Sequence, residues 1–427
     1  MKMPNEAKVH PTSSDLAETT FYGQELDQEF DIYDDHQAPL VMTISKMKAL
    51  SEFRCKLEDA IQNNYIYENE TSSFTQDAKD EERLLDLSLW GVPLLPSKGH
   101  EATDIVLTKF LEATHFKVSE SLSMLQRTLI WRMKKGIDEI LHENFDPDLG
   151  EVGHVSTKKG IKGHSVCYII YGTYKEKNAY KERFNSYDKY EDFLRWNIQF
   201  MERCVQTLDL RPGGTNSIIM IIDLKDAPGP LIKDLPSFDK KMLNLLQNYY
   251  PGIIYRNIVI NVPLWLLTFH ALQILPLTQK THKFIFVRPF RVAKTLLKFI
   301  APENLPVQYG GLEQETGDLS QGDAKVVHRK IRPLSVECFQ IPVPQAGVTA
   351  FWSMTVVGFE VSYKEEFIPN DDCSYQILIQ KEMRMGKSIT SSFYVREPGK
   401  IVVSIKNGTP KNKLALCRHW IQSTASP

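Results

Sequence analysis

Four short apolar runs, residues 166–171, 218–222, 258–262 and 284–287, stand between turn-forming or polar residues in the middle of the chain. Continuous runs of this length suit strands buried on both faces. Helix-period segments lie between them: 187–208, where Phe193, Leu194, Trp196, Phe200, Met201 and Val205 recur at helical spacing, and 238–249. Strands alternating with helices predict an α/β domain with a largely parallel sheet. Further on the period shortens. Residues 336–341, 349–357, 360–363, 375–380, 391–395 and 401–406 read as short strands, with turns such as Pro369-Asn370-Asp371 and Glu397-Pro398-Gly399 between them. That rhythm predicts a β-sandwich of about 100 residues.

The N-terminal part is acidic and helical. Residues 1–37 are rich in Asp, Glu, Ser and Thr without a steady apolar period, so disorder is expected there. A helix is predicted over 39–63 from Met47, Leu50, Phe53, Leu57 and Ile61, and a second acidic linker over 68–82. Residues 90–144 read as a helical module. Ser119 is its candidate N-cap, and Leu122, Leu125, Leu129, Met133, Ile137 and Leu141 form one apolar face. The expected fold class is multidomain, α/β plus all-β. The expected boundaries are 1–82 for the acidic N-terminus with one helix, 83–150 for the helical module and 151–313 for the α/β domain. A linker over 314–330 and a sandwich over 331–427 complete the chain.

Composition narrows the class. A hydrophobic content of 42% supports buried cores over most of the 427 residues. The formal net charge of −2 excludes whole-protein attraction to nucleic acid and makes any membrane contact local. The six cysteines are scattered without a CxxC pair and read as reduced thiols of a cytoplasmic protein. The first ten residues have no apolar core of a signal peptide.

One segment departs from the bland pattern. From Asn257 to Gln279 there is no Lys, Arg, Asp or Glu, over about the length that a bilayer demands. Asn261, Pro263, His270, Gln273 and Pro276 interrupt it, and Pro263 suits the first turn of a helix. Leu264, Trp265, Leu266, Leu267, Phe269, Leu272, Ile274 and Leu275 surround that predicted helix almost completely. Such a helix is either buried in a core or faces lipid. Two readings stay open: a core helix, or a flap over 263–277 that closes an apolar cavity and touches a bilayer when open. Positive charge follows at Lys280, Lys283, Arg288, Arg291, Lys294 and Lys298, which suits anionic head groups.

Catalytic patterns fail on geometry. Gly163-His164-Ser165-Val166-Cys167 lacks the last glycine of a nucleophile elbow, and its serine precedes a strand instead of following one. Gly386-Lys387-Ser388 has Lys381 where a phosphate loop needs glycine, and no helix follows. Asp146-Pro147-Asp148 reaches Gly150 one residue too early for a calcium loop. No HExxH and no close His–Cys pairing is present. No enzyme, metal or cofactor is expected.

Three motifs carry a family resemblance: Asn248-Tyr249-Tyr250-Pro251, Ile260-Asn261-Val262-Pro263, and the run from Ala301-Pro302-Glu303 through Gln308-Tyr309-Gly310-Gly311. They resemble the lipid-binding domain of CRAL-TRIO proteins. Residues 107–131, with Lys109-Phe110-Leu111 and Phe116-Lys117-Val118, look like that family's N-terminal helical module. The β-rich tail, with Glu366-Phe367-Ile368-Pro369-Asn370, looks like a GOLD domain. An acidic N-terminus, CRAL-TRIO and GOLD in this order resemble the patellins. The resemblance implies a CRAL-TRIO α/β lipid-binding domain with a helical gate, followed by a GOLD β-sandwich. It implies a peripheral membrane protein that binds phosphoinositides or other hydrophobic ligands in membrane trafficking, including cell-plate formation and cytokinesis, without catalysis. The GOLD domain would take a protein partner or assist docking.

The resemblance assigns lipid-binding positions and shows departures. Lys283 stands where the family contacts inositol, and Ile218 and Met220 replace Ser and Thr positions used for choline lipids in some relatives. Leu264, Trp265, Leu267, Phe269 and Leu272 would line the gate. Glu112 and Thr114 replace basic residues in Phe110-Leu111-Glu112-Ala113-Thr114, and Gly252 replaces the acidic residue after Tyr250-Pro251. A phosphate needs charged or hydrogen-bonding partners to offset desolvation. An interaction adaptor with a degenerate head-group site is therefore the alternative to a lipid carrier.

Overall fold

The computed structural model describes residues 42–67, 86–174, 187–229, 241–264, 266, 284–314, 324–358 and 360–423. The predicted disorder over 1–37 and the linker over 68–82 lie outside them. The chain divides into two units at Ala49–Leu50. Helix α1, Ile44–Gln62, buries Phe53, Leu57, Ala60 and Ile61 on one side, as their spacing predicts. Met47 is exposed.

The helical module opens with a hairpin, β1 Ser88–Leu89 and β2 Val92–Pro93. Helices α2, Thr103–Ala113, and α3, Val118–Lys135, follow. Ser119 is not the N-cap, because α3 starts one residue earlier, with Lys117 in the cap position and no side-chain cap. Ser121 secures this corner instead: its hydroxyl donates to the Lys117 carbonyl at 3.0 Å and lies 2.6 Å from that of Thr114. Helix α3 stops at Gly136, whose φ of 58° puts it in the left-handed region favoured by glycine. The predicted apolar series runs through that break. The buried face turns to Met124, Leu125, Thr128, Leu129 and Arg132, and Met133 is 44% exposed.

Aromatic stacking ties this module to the α/β domain. The Trp131 ring lies 4.3 Å from that of Tyr249, and Trp90 stacks with both Phe110 and Tyr250. The α/β domain contains α4 Pro147–Val152, β3 Gly153–Lys159, β4 Ser165–Ile170, α5 Tyr187–Val205, β5 Ile218–Asp223, β6 Ile254–Ile260, β7 Phe284–Phe286 and α6 Val292–Leu296. Residues 241–249 are also helical. The sheet order is β3-β4-β5-β6-β7, with β4 to β7 parallel and β3 antiparallel at the edge. The polar strand β3 is absent from the pattern of apolar runs because one of its faces meets water.

Each face of this sheet is covered. Under one lie Phe193, Trp196 and Phe200 of α5, packed with Cys167, Met220 and Val259. Against the other lie Val292 and Leu296 of α6 with Leu305 and Tyr309, packed on Val166, Tyr168, Ile219, Ile221 and Ile258. Gly153 permits the close approach of α5, since a Cβ there would sit 2.9 Å from the Trp196 ring.

The C-terminal domain is a sandwich of two four-stranded antiparallel sheets. Its strands are β8 Lys325–Ile331, β9 Val336–Val343, β10 Val348–Val357, β11 Val361–Pro369, β12 Ile377–Arg384, β13 Ser388–Val395, β14 Gly399–Asn407 and β15 Lys413–Ser423. The orders are β13-β10-β15-β8 and β12-β11-β14-β9. Six strands match the predicted runs. Strand β8 falls in the stretch read as linker, because its exposed basic residues mask the period, and β15 went unread. Trp352, Phe339, Ile341, Phe367, Ile401 and Val403 form the shared core.

Candidate functional site

Strand register builds an apolar floor. Registered residues on neighbouring parallel strands share a face. On the α5 face this gives two rows, Cys167–Met220–Asn257–Phe284 and Ile169–Ile222–Val259–Phe286. Ile218 lies beside them at the start of β5 and belongs to the same core as Met220. Both predicted lining positions are thus on this face, fully covered. Phe284 and Phe286, at the β7 edge, are only half-buried. Asn257 is the one amide in these rows. Reading the strand from 258 missed it; counting back by two from Val259 places it on the floor.

At the C-terminal ends of the strands a second group forms. The Asp223 carboxylate is buried and accepts hydrogen bonds from the Asn261 side chain at 2.7 Å, the Lys225 backbone N–H at 2.8 Å and the Tyr309 hydroxyl at 2.9 Å. Burial, reinforced by that carboxylate, pushes the Tyr309 phenol far above its ordinary range, so it remains a donor. Asn261 has a left-handed φ of 58°, which asparagine tolerates better than bulkier residues. Pro263 follows, and the Leu266 N–H donates to its carbonyl. Leu264 is 56% exposed, whereas Leu266 is buried in the same core as Met220. Trp265, Leu267, Phe269, Leu272 and Lys283 lie outside the described residues.

The family departures have structural uses. Thr114 donates to the Phe110 carbonyl at the end of α2, and Glu112 is exposed. Gly252, at φ 66°, covers Lys109, whose buried ammonium donates to the carbonyls of Gly252 and Asn216 and to the Asn216 side chain. An acidic side chain at 252 would begin with a Cβ 3.1 Å from that lysine stem.

A cleft of about 1370 Å³ opens elsewhere, between Trp131, Phe145, Leu194, Arg195, Ile198 and Leu245. Of the predicted lining residues, the described ones, Ile218, Met220 and Leu264, do not border it. Ser165 opens β4, and its hydroxyl donates to the Thr207 carbonyl at 3.3 Å, which leaves no nucleophile elbow there. Among the described residues no group of side chains suits a metal ion, and no helix is long and apolar enough to cross a membrane.

Comparison with known proteins agrees with this architecture. Residues 154–311 match the CRAL/TRIO domain, and residues 332–413 match the Patellin-1-like C-terminal GOLD domain. Patellin-4 of Arabidopsis thaliana is 40% identical over 362 residues, covering 82% of this chain and 65% of that protein. Patellin-6 of the same plant is 37% identical over 348 residues, covering 79% of this chain and 83% of that protein. A phosphatidylinositol transfer protein SFH5 of Meyerozyma guilliermondii is 26% identical over 232 residues, 51% of this chain and 66% of that protein. The fold and its covered sheet define a CRAL/TRIO protein that carries a GOLD sandwich. With this domain order and these relatives, the chain belongs to the patellin family. It spans 65% of the length of Patellin-4 and 51% of that of Patellin-5.

Proposed function

We propose that this chain is a lipid carrier, not a catalyst, which binds a hydrophobic ligand and transfers or presents it between membranes. The observation that carries this reading is the two-row floor on β4 to β7, hydrocarbon and sulfur apart from one amide. Acyl or ring carbons that meet this face at its half-buried β7 edge, Phe284 and Phe286, leave water at roughly 25 cal/mol per Å². The phosphatidylinositol transfer protein among the relatives supports the same class. In this reading Ile218 and Met220 underlie the tails. Leu264, Trp265, Leu267, Phe269 and Leu272 supply apolar contacts to ligand and bilayer, and Lys283 meets the head group.

The chain would work at the cytoplasmic surface of membranes as a peripheral protein, with the sandwich taking a protein partner or assisting docking. The place in trafficking, cell-plate formation and cytokinesis rests on the family resemblance alone. Native mass spectrometry of the purified chain tests the carrier reading: a co-purifying lipid that exchanges with vesicles is expected. A chain that stays empty after incubation with vesicles overturns it. The adaptor alternative draws on the structural uses of Thr114 and Gly252, and predicts vesicle recruitment without lipid loading.

A further inference from the structure

We infer that the turn after β7, which carries Phe290, is a fixed docking surface for an anionic bilayer. This rests on the reading of the chain as a peripheral membrane protein and deepens it. Phe290 is 64% exposed. It belongs to the tight turn Pro289–Arg291, which has no buried residue. The Arg288 guanidinium carbon lies 4.9 Å from the centre of its ring. Lys294 and Lys298 follow, both exposed. Directly behind the turn, Val292 and Leu296 of α6 are buried against the sheet. The ring is thus held out to solvent by an anchored helix.

A single exposed apolar side chain is ordinary on a protein surface. Its setting distinguishes this one. Strands β6 and β7 leave the sheet side by side, where the Val262 N–H donates to the Val287 carbonyl at 3.0 Å. Leu264, 56% exposed, therefore stands at the same end of the sheet as Phe290. The charge around them is one-sided. No Asp or Glu occurs between Asp239 and Glu303, in a chain that has 53 of them. The next strand along, β5, leads into Lys225 and Asp226, equal and opposite in charge. The sandwich, by contrast, balances its surface cations with carboxylates, as at Lys364 and Glu366 or Lys406 and Glu382. Strand β7 also carries Phe284 and Phe286, the half-buried edge of the apolar floor, so the turn closes the strand that a lipid meets on leaving that floor. A phenyl ring suits the acyl boundary of a bilayer, and the cations beside it suit anionic head groups. An acidic protein would match the charge, but would need a pocket for the ring. A bilayer takes an outstanding ring without one.

The test uses the full chain in sedimentation with phosphatidylcholine vesicles, made with and without phosphatidylserine. Wild type should bind the anionic vesicles more tightly, and that excess should shrink as salt is added. Phe290→Ala should weaken binding to them by roughly ten-fold or more, with circular dichroism and thermal midpoint unchanged. Lys294→Glu should weaken anionic binding by roughly five-fold or more and leave neutral binding as it is. Unchanged vesicle binding by Phe290→Ala overturns the inference and leaves a protein as the occupant of this surface. Equal binding of the wild type to neutral and anionic vesicles overturns it too. Native mass spectrometry separates these results from the carrier reading. A chain that loads lipid, yet docks without regard to Phe290, removes the docking surface alone. A chain that never loads lipid, yet docks through Phe290, keeps the docking surface and removes the carrier.

Discussion

Asp223 accepts the Asn261 side-chain amide at 2.7 Å, joining the end of β5 to the residue that leads the chain out of β6. Its other oxygen accepts the Tyr309 hydroxyl at 2.9 Å, so one carboxylate fastens three segments. Asp223→Ala leaves two buried or half-buried donors unmet, and each such group costs about 1–3 kcal/mol. Urea denaturation should show a loss of about 2–4 kcal/mol, against about 1–3 kcal/mol for Tyr309→Phe, which removes a single charge-assisted bond. Equal effects would show that Asn261 does not depend on the carboxylate.

The helical module is held by a buried ion pair. Arg132 donates to Glu202 at 2.7 Å, and the Tyr250 hydroxyl donates to the same oxygen at 2.5 Å. Both charged side chains are nearly inaccessible, while Asp138, the other partner of Arg132, is largely exposed. Glu202→Ala should cost about 3–5 kcal/mol by leaving a buried guanidinium with only the largely exposed Asp138 to offset it. The double variant Arg132→Met, Glu202→Leu should cost less than the single one, a non-additivity that a denaturation cycle measures.

The sandwich encloses a carboxylate. Glu365 on β11 accepts from the Trp352 indole N–H at 3.0 Å and the Ser391 hydroxyl at 3.0 Å. Burial nonetheless raises its pKa above the ordinary carboxylate value, with those two bonds opposing. A group whose folded pKa is raised contributes stability below its unfolded pKa and loses that contribution as pH climbs through the folded one. Glu365→Gln keeps an acceptor and cannot ionise. It should match the wild type in acid and exceed it in thermal midpoint towards neutral pH. A difference that instead grows on acidification contradicts the assignment.

Leu264 and Leu266 separate surface from core. Leu264→Asp should preserve the circular dichroism spectrum, because that side chain is mostly exposed. It should weaken vesicle sedimentation by roughly ten-fold or more, since one large apolar side chain entering lipid contributes about 1.5–3 kcal/mol. Leu266→Asp, two residues on, should unfold the domain instead. Unchanged vesicle binding by Leu264→Asp would remove this position from the docking surface.

Much of this was legible in the pattern of residues. The runs at 218–222 and 284–287 are strands. The first, in the middle of the sheet, is buried on both faces, as a continuous apolar run announces. The second is the edge strand β7, buried on one face and half-buried on the other. Polar edge strands such as β3 and β8 give no such signal, because their stability comes from pairing with a neighbour already in place. On the β4-to-β7 face, Ile218 and Met220 stand in an apolar run that the sequence pattern marks, whereas the place of Asn257 between Met220 and Phe284 shows only in the strand register. Ser119 misled because Ser is a good cap by itself, and the corner made by Thr114 and Ser121 set the start of α3 instead.

The sequence by itself determined the class of each domain and their order, since hydrophobic period is a local property that each segment carries alone. Tertiary structure decided which face of each strand meets which helix and which polar groups close on one another. Asp223, Asn261 and Tyr309 lie 38 and 86 residues apart from first to second and first to third. No local pattern links such positions; only the folded sheet brings their hydrogen-bonding groups within reach, in surroundings too dry for water to replace them.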